Sequence, residues 1–291
     1  MNGRPLALTV ATFSIVATDG VDWGVAVASK FLAVGAVVPA AAAAVGAVAT
    51  QAMSNASYKR RGLALLAQGR YAAEVVELLT KSDPDRDRRQ LGVVDRDGGA
   101  ASYTGSQCLE WAGGGTATGC ACQGNLLAGP EVVDAMLSNF GSADGPLSGR
   151  LLAALAAGDR AGGDRRGRQS AALLVVRADG GYGGFDDRMI DLRVDDHRQP
   201  IAELERLLRR WWTLFERPDA ATLLPAGPEL VERIRRALVE RGLVGADAGQ
   251  EEVMDAFERW AKTENLEERW ADSSLIDPAV LSLLEGRPEP G

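Results

Sequence analysis

A hydroxyl residue, Thr12, opens a β-branched apolar run near the N-terminus of the chain. As a free N-terminal residue, Thr12 would supply both a nucleophile and a base, because its hydroxyl can attack while its own α-amine accepts the proton. An α-amine has an ordinary pKa of roughly 8 and is therefore a usable base at neutral pH. Residues Met1 to Ala11 precede Thr12, and without their removal Thr12 is an ordinary strand residue.

Two residues near Thr12 could assist this chemistry. Lys30 ends the second strand of a predicted hairpin, so its ammonium could return close to Thr12 and lower the pKa of the α-amine. Ser14 lies two residues along the strand and therefore on the same face as Thr12. The alternatives are a lysine that only marks a strand end and a serine that is only a strand hydroxyl.

Four amide side chains adjoin predicted strand ends and could donate hydrogen bonds to a developing oxyanion. They are Gln51, Asn55, Gln123 and Asn125. Asparagine is also well suited to turns and helix caps, so local structural duty is the alternative for these residues.

A glycine- and arginine-rich loop, residues 162–168, is the candidate for substrate binding. Its glycines permit close approach of the backbone. Arg165 and Arg168, with Asp164 beside them, could clamp a carboxylate on a substrate. A solvated basic loop is the alternative interpretation.

Composition excludes several classes of protein. The net charge is −8 and no long basic stretch is present, which argues against a nucleic-acid partner. The three cysteines do not form a disulfide framework, and with a single histidine they do not make a zinc site, so we expect buried thiols, no metal and no cofactor. No run of roughly 20 apolar residues predicts a membrane span. The apolar run Leu6 to Ala17 is interpreted as a core strand rather than a secretory signal, which favours a cytoplasmic location.

The order of predicted elements indicates an α+β fold. A hairpin joins Thr12–Thr18 to Trp23–Ser29, and further strands are predicted at Ala33–Val38, Ala43–Thr50 and Thr116–Gln123. Along the sequence, pairs of predicted helices alternate with groups of predicted strands. The strands are nearly continuous in apolar character, so both faces of each sheet should be covered. We therefore predict two stacked sheets between helical layers, a four-layer αββα sandwich, rather than an alternating dinucleotide-binding fold.

The chain changes character near Arg217. From there to the end it carries 16 acidic and 9 basic residues and only helical patterns, including Glu229–Arg241 and Glu251–Lys262. We predict a domain over 12–216 and a small all-helical domain over 217–291.

Several motifs occur in order along the first region: Thr12-Phe13-Ser14-Ile15-Val16-Ala17, Gly24-Val25-Ala26-Val27-Ala28-Ser29-Lys30, Val34-Gly35-Ala36-Val37-Val38-Pro39, Val45-Gly46-Ala47-Val48-Ala49-Thr50-Gln51, Gln123-Gly124-Asn125-Leu126-Leu127-Ala128-Gly129-Pro130 and Gly163-Asp164-Arg165-Arg166-Gly167-Arg168-Gln169-Ser170-Ala171. Together these motifs resemble the DUF1028 family of bacterial and archaeal proteins, whose fold is similar to that of the N-terminal nucleophile (Ntn) hydrolases. The region after Arg217 resembles the peptidoglycan-binding domain that follows this core in some members.

The resemblance implies that the Thr-Phe-Ser run can directly follow an initiator Met, whose removal would free the threonine. In this chain eleven residues precede Thr12, which leaves self-cleavage after Ala11, a start codon placed too early, or a scaffold without a nucleophile. The first hypothesis is an Ntn-type amidohydrolase acting on a small-molecule or peptide-like substrate. The second is a non-catalytic scaffold that binds a cell-wall fragment such as peptidoglycan. Exposed sheet edges would also permit homo-oligomers.

Overall fold

The computed structural model describes residues 9–270 and 273–286, with side chains from Ala11 onwards. The part of the Leu6–Ala17 run before Thr9 therefore lies outside the described residues. Two compact units are separated between Glu205 and Arg206. The domain ranges 12–216 and 217–291 stay predictions from composition and charge.

The first unit contains two antiparallel β-sheets and six α-helices among its described residues. The strands are β1 (Thr9–Val10), β2 (Thr12–Thr18), β3 (Trp23–Ser29), β4 (Pro39–Ala42), β5 (Gly46–Met53), β6 (Arg89–Asp95), β7 (Ala100–Thr104), β8 (Gly113–Ala117), β9 (Cys120–Gly124), β10 (Ser170–Val176) and β11 (Arg188–Val194). The helices are α1 (Val34–Val37), α2 (Ser57–Ala67), α3 (Ala72–Lys81), α4 (Glu131–Ser142), α5 (Leu147–Arg160) and α6 (Pro200–Phe215), and α6 continues into the second unit.

The strands are shared between a five-stranded and a six-stranded sheet. The five-stranded sheet has the order β1-β5-β6-β7, with β4 also paired to β5, and the six-stranded sheet has the order β11-β10-β3-β2-β9-β8. Strands β2 and β9 contact β5 and β6, so the two sheets face each other. Helices α2 and α3 pack on the five-stranded sheet, while α4 and α5 pack on the six-stranded sheet. Both central strands, β2 and β3, are consequently buried along their whole length.

The hairpin predicted near the N-terminus is confirmed with its predicted bounds. Strands β2 and β3 pair antiparallel, and Thr12 lies opposite Ser29 at their open end. The turn between them is closed by the Thr18 hydroxyl, which donates to the Asp22 carbonyl at 2.6 Å. Local turn chemistry therefore fixes which residue faces Thr12.

Two of the predicted strands were wrong. The stretch Ala33–Val38 contains the short helix α1, and Gly35 in it packs so closely on β10 that an added Cβ would lie 2.6 Å from the Ala172 Cβ. The predicted strand Thr116–Gln123 is a second hairpin, because Gly119, with a φ of 73°, turns the chain between β8 and β9. Small, apolar residues predicted a continuous strand in both stretches. In the first, close packing on β10 accompanies a helical turn, and in the second, a glycine in the left-handed conformation turns the chain back.

The second unit is mainly helical, but it also contains a short strand pair that the all-helical prediction lacks. It contains α7 (Pro228–Glu240), α8 (Gln250–Thr263), α9 (Pro278–Leu284) and a two-stranded ribbon of β12 (Leu224–Pro225) and β13 (Leu275–Ile276). Aromatic packing of Phe257 with Trp260 and Trp270 organises its core. None of the helices in the described ranges of the chain is long and apolar enough to cross a bilayer.

Candidate functional site

The space between the two sheets has an apolar end and a polar end. On β2 the residue Val16 belongs to an apolar cluster with Val25 and Val27 of β3. Two and four residues earlier on the same strand face stand Ser14 and Thr12, both fully buried. The change from valine to hydroxyl residues along one face therefore places polar groups deep inside the molecule, where each needs a hydrogen-bond partner.

Five buried side chains form the hydrogen-bonded group that we call the amide cluster: Ser14, Gln51, Gln90, Gln123 and Asn125. The Ser14 hydroxyl donates to Gln51 Oε1 at 2.7 Å and accepts from Gln123 Nε2 at 2.7 Å. Gln90 Oε1 accepts from both Gln51 Nε2 at 2.8 Å and Asn125 Nδ2 at 3.0 Å. The bonds Ser14–Gln51 and Gln90–Asn125 cross from one sheet to the other, and the other two join neighbouring strands of one sheet, so the position of every member is fixed.

The amide cluster is tightly enclosed and incompletely bonded. A Cβ at Gly92 would lie only 2.2 Å from Gln123 Oε1, so a glycine at this place in β6 makes room for the amide. Among the described residues, Gln123 Oε1 and Asn125 Oδ1 have no hydrogen-bond donor. Two buried acceptors without donors are costly, and such groups concentrate where a protein handles a ligand or a water.

Thr12 lies beside the amide cluster and is held by its own backbone neighbours. The Thr12 main-chain carbonyl accepts from Gln51 Nε2 at 3.2 Å and from the main-chain N–H of Asn125 at 3.0 Å. The main-chain N–H of Thr12 in turn donates to the main-chain carbonyl of Asn125 at 3.3 Å. The main chain of Thr12 is thus fixed on both sides while its side chain points to a different set of groups.

A short hydrogen-bond chain joins the Thr12 hydroxyl to the carbonyl of the preceding residue. Thr12 Oγ1 donates to Ser29 Oγ at 3.1 Å, and Ser29 Oγ donates to the Ala11 carbonyl at 2.5 Å. Both Ala11 and Thr12 are fully buried. The Ser29 hydroxyl therefore hydrogen-bonds directly to the peptide bond between Ala11 and Thr12, where self-cleavage would occur.

A second donor reaches the same carbonyl from the arginine-rich loop. Arg166 Nη2 lies 3.0 Å from the Ala11 carbonyl oxygen. The buried Asp164 carboxylate orients this guanidinium, since it accepts from Arg166 Nε at 3.1 Å and from Arg166 Nη2 at 2.8 Å. Two donors on one carbonyl, one of them cationic, are the arrangement that stabilises an oxyanion.

The residues before Thr12 belong to the other sheet. Strand β1 pairs with β5, with Val10 opposite Ala52 and Thr9 opposite Met53. The chain thus crosses from the five-stranded to the six-stranded sheet at Ala11. Ala52 has a left-handed φ of 63°, a strained conformation for a residue with a side chain, and such strain tends to lie at functional sites.

The side chains of the other predicted residues of the loop and strand end make no hydrogen bond to the Ala11 carbonyl within the described structure. Lys30 is exposed and its ammonium donates to the Arg168 carbonyl at 3.3 Å, while its amide donates to Asp164 Oδ2 at 2.9 Å. Arg168 pairs with Asp159 at 2.7 Å. The Arg165 side chain is exposed and its amide donates to the Leu126 carbonyl at 3.0 Å. The roles assigned to Lys30, Arg165 and Arg168 stay predictions.

Asn55 belongs to a separate buried network. Its Nδ2 donates to Asp83 Oδ2 at 2.9 Å, and its Oδ1 accepts from the Ser57 amide in the first turn of α2. Tyr58 and Arg89 donate to the same Asp83 oxygen at 2.9 and 3.0 Å. The structure thus gives Asn55 a local turn contact just before α2, and the contacts of its side chain are with Asp83 and Ser57 rather than with Thr12.

Three residues that sequence reasoning did not single out complete the site. Ser29 follows from the predicted hairpin, because a turn over residues 19–22 places residue 29 opposite Thr12. Arg166 lies between the two arginines that were chosen in the loop, but nothing local distinguishes it from them. Gln90 follows a polar stretch and carries no local signal that it turns inward between the sheets. In the described part of the chain, no cluster of three histidine, cysteine, aspartate or glutamate side chains could hold a metal ion.

Comparison with known proteins places the first unit in a family. The model described as "Family of unknown function (DUF1028)" matches residues 12–204. The chain belongs to the DUF1028 family. A DUF1028 protein of known crystal structure, SPO2555 from Silicibacter pomeroyi, is 33% identical over 69% of this chain and 89% of its own length, with a TM-score of 0.63. No curated protein matches the chain.

A second family matches the C-terminal unit of this DUF1028 protein. The model described as "Putative peptidoglycan binding domain" matches residues 213–284. The two matches confirm the families expected from the sequence motifs. Because DUF1028 has no known function, membership leaves the activity to be argued from the residues around Thr12.

Proposed function

We propose that the DUF1028 unit is an amidohydrolase of the Ntn type, whose nucleophile Thr12 is freed when the bond between Ala11 and Thr12 is cleaved. The observation that carries this proposal is the pair of donors on the Ala11 carbonyl, Ser29 Oγ and Arg166 Nη2, with the Thr12 hydroxyl bonded to that same Ser29. A buried strand carbonyl needs one hydrogen bond for stability, and here it has a second donor that is cationic and is oriented by the buried Asp164. The layering of α2 and α3, two facing sheets, and α4 and α5 supports the Ntn-like sandwich.

The cleavage follows from the hydrogen-bond chain. Thr12 Oγ1 attacks the Ala11 carbonyl carbon, its proton passes to Ser29 Oγ, and the Ser29 proton moves to the developing oxyanion, which Arg166 also stabilises. The C–N bond then breaks as this proton passes from the tetrahedral oxygen to the Thr12 nitrogen and the carbonyl re-forms, which leaves an ester between Ala11 and Thr12 Oγ1. Water hydrolyses this ester to a carboxylate and restores the hydroxyl.

The freed Thr12 then has both groups that hydrolysis of a second amide requires. Its hydroxyl attacks the substrate carbonyl and its α-amine carries the proton to the leaving nitrogen. Ser29 and Arg166, released from Ala11, are available to the substrate carbonyl. The Asn125 carbonyl, which accepts from the Thr12 amide in the intact chain, can position the amine.

The direct test is the N-terminus of the purified full-length chain after incubation at neutral pH. We expect intact mass and N-terminal sequencing to give a product that begins at Thr12, because the cleaved bond is held by donors. Thr12→Ser keeps the hydroxyl and should still be cleaved, whereas Thr12→Ala should stay whole. Two negative results together would overturn the proposal. The wild-type chain would remain uncleaved, and a chain expressed with one Met before Thr12 would hydrolyse no amide under the same conditions.

A second candidate function is supported by the match over residues 213–284, namely binding to peptidoglycan. The C-terminal unit has a cavity of about 140 Å³ lined by Arg241, Trp260 and Glu264 among others. An indole ring can pack against a sugar ring and an arginine can bind a carboxylate, so this lining suits a glycan that carries peptides.

Sedimentation of the full chain with purified peptidoglycan tests this second function. We expect Arg241→Glu to weaken retention roughly tenfold, the equivalent of about 1.4 kcal/mol, because it reverses the charge of one of the two arginines that line the cavity. Arg236→Glu is the matched control, since Arg236 is exposed on α7 and does not line the cavity. Equal retention of both variants and the wild type would contradict a site at this cavity, and no retention of any would remove the function.

A further inference from the structure

An extended peptide segment already fills one edge of the DUF1028 unit. Along β5, strand β4 covers the edge from Gly46 to Ala49, and β1 covers it at Ala52 and Met53. The opposite edge of β5 is paired with β6 from Gly46 to Ala52. In the part of the chain that the structure describes, β1 is the strand that covers the Ala52–Met53 stretch. When β1 departs, this stretch becomes an open strand edge, which is a template for another strand.

The filled edge leads directly to the nucleophile. Ala11 follows β1, and its carbonyl carries the two donors, so an extended chain paired with β5 presents its next carbonyl to Ser29 and Arg166. The Ala11 residue is fully buried. The space around its methyl group therefore accommodates a small side chain and not a large one.

We propose, on the basis of the proposed function, that the substrate is a peptide that binds as an extended strand antiparallel to β5, in the place of β1, with an alanine-sized residue on the acyl side of the cleaved bond. The segment before Thr12 is the first product of cleavage, and its strand β1 occupies the edge of β5 where the substrate would bind. Backbone pairing with Ala52 and Met53 supplies binding that is independent of side chains, and the buried Ala11 place supplies the selection for size.

The reaction balances within these groups. Thr12 Oγ1 forms a bond to the peptide carbonyl carbon, and its proton passes through the α-amine to the leaving nitrogen as the C–N bond breaks. Water then adds to the ester, one of its protons returns to Thr12 Oγ1, and a peptide with a C-terminal carboxylate is released. Arg166 faces the oxygen that becomes part of this carboxylate, so the cleaved product also binds there.

The test uses a chain that begins at Thr12, obtained by self-cleavage or by expression with a single Met before Thr12. The probe is acetyl-Leu-Thr-Val-Ala coupled to aminomethylcoumarin, which copies the four residues before Thr12. We expect kcat/KM to fall at least about tenfold when phenylalanine replaces the alanine. Two further peptides carry one N-methyl group each, on the threonine or on the valine. We expect kcat/KM to fall about tenfold for one of them and much less for the other, because antiparallel pairing points alternate N–H groups at the partner strand.

Binding of the product peptide, acetyl-Leu-Thr-Val-Ala with a free carboxylate, gives a readout besides hydrolysis. Calorimetry should show weaker binding to Arg166→Ala than to Arg60→Ala, whose exposed arginine lies on α2. Selective binding without hydrolysis would support the strand site and overturn the proposed catalysis. Hydrolysis that is indifferent to residue size and to N-methylation would overturn the strand site and leave the catalysis standing. Absence of both overturns both.

Discussion

Replacement of Arg166 by alanine is expected to slow cleavage after Ala11 by about 10²- to 10³-fold, the usual effect of removing one donor from an oxyanion site. Arg166 Nη2 lies 3.0 Å from the Ala11 carbonyl oxygen, and the charge on that oxygen grows as the Thr12 hydroxyl attacks. The rate is measured from the fraction of intact chain over time by mass spectrometry of the purified full-length protein.

The controls separate this role from general damage to the loop. Arg60→Ala, an exposed arginine on α2, should cleave at the wild-type rate. Arg166→Lys keeps a cation but loses the bidentate fit to Asp164, so an intermediate rate is expected. A wild-type rate in Arg166→Ala, with a melting temperature equal to that of the parent, would contradict a role for Arg166 in the cleavage.

The largest loss of stability is expected from Asp83→Ala. The Asp83 carboxylate is buried and accepts from Arg89, Asn55 and Tyr58, and the Arg89 side chain is only 11% exposed. Removal of one partner of a buried ion pair costs about 3–5 kcal/mol, because the other charge is left without compensation. Urea unfolding of the full chain measures the change, and the exposed Asp97→Ala should stay within about 0.5 kcal/mol of the wild type. A loss for Asp83→Ala no larger than that of Asp97→Ala would contradict this account.

The same network predicts a pH dependence. Burial alone would raise the pKa of Asp83, but hydrogen bonds from Arg89, Asn55, the Asp85 amide and Tyr58 outweigh it and hold the pKa well below its ordinary value. A lowered pKa stabilises the fold above the unfolded pKa of about 3.9, and this contribution is lost as the pH falls toward the folded pKa. The stability difference between wild type and Asp83→Asn should therefore be constant from about pH 5 to pH 8 and shrink below about pH 4. A difference that grows in acid would contradict it.

Much of the local structure around Thr12 could be predicted from the sequence. The β-branched run, the turn at residues 19–22 and the return strand specify the hairpin, and its register places Ser29 opposite Thr12. The motifs also indicated the DUF1028 family, which the family match confirms. Such features depend on neighbours in the chain, and turn chemistry and strand alternation act over a few residues.

The rest of the site depends on contacts between distant parts of the chain. The sequence by itself determined the hairpin, the family and the hydroxyl of Thr12 as the candidate nucleophile. Tertiary structure decided that Gln90 turns inward to bond Gln51, that Asn55 joins Asp83 instead, and that Arg166, rather than Arg165 or Arg168, reaches the Ala11 carbonyl. The physical reason is that a buried carbonyl or amide takes whichever donor the packing of two sheets and a loop brings within about 3 Å, and no local pattern records that choice.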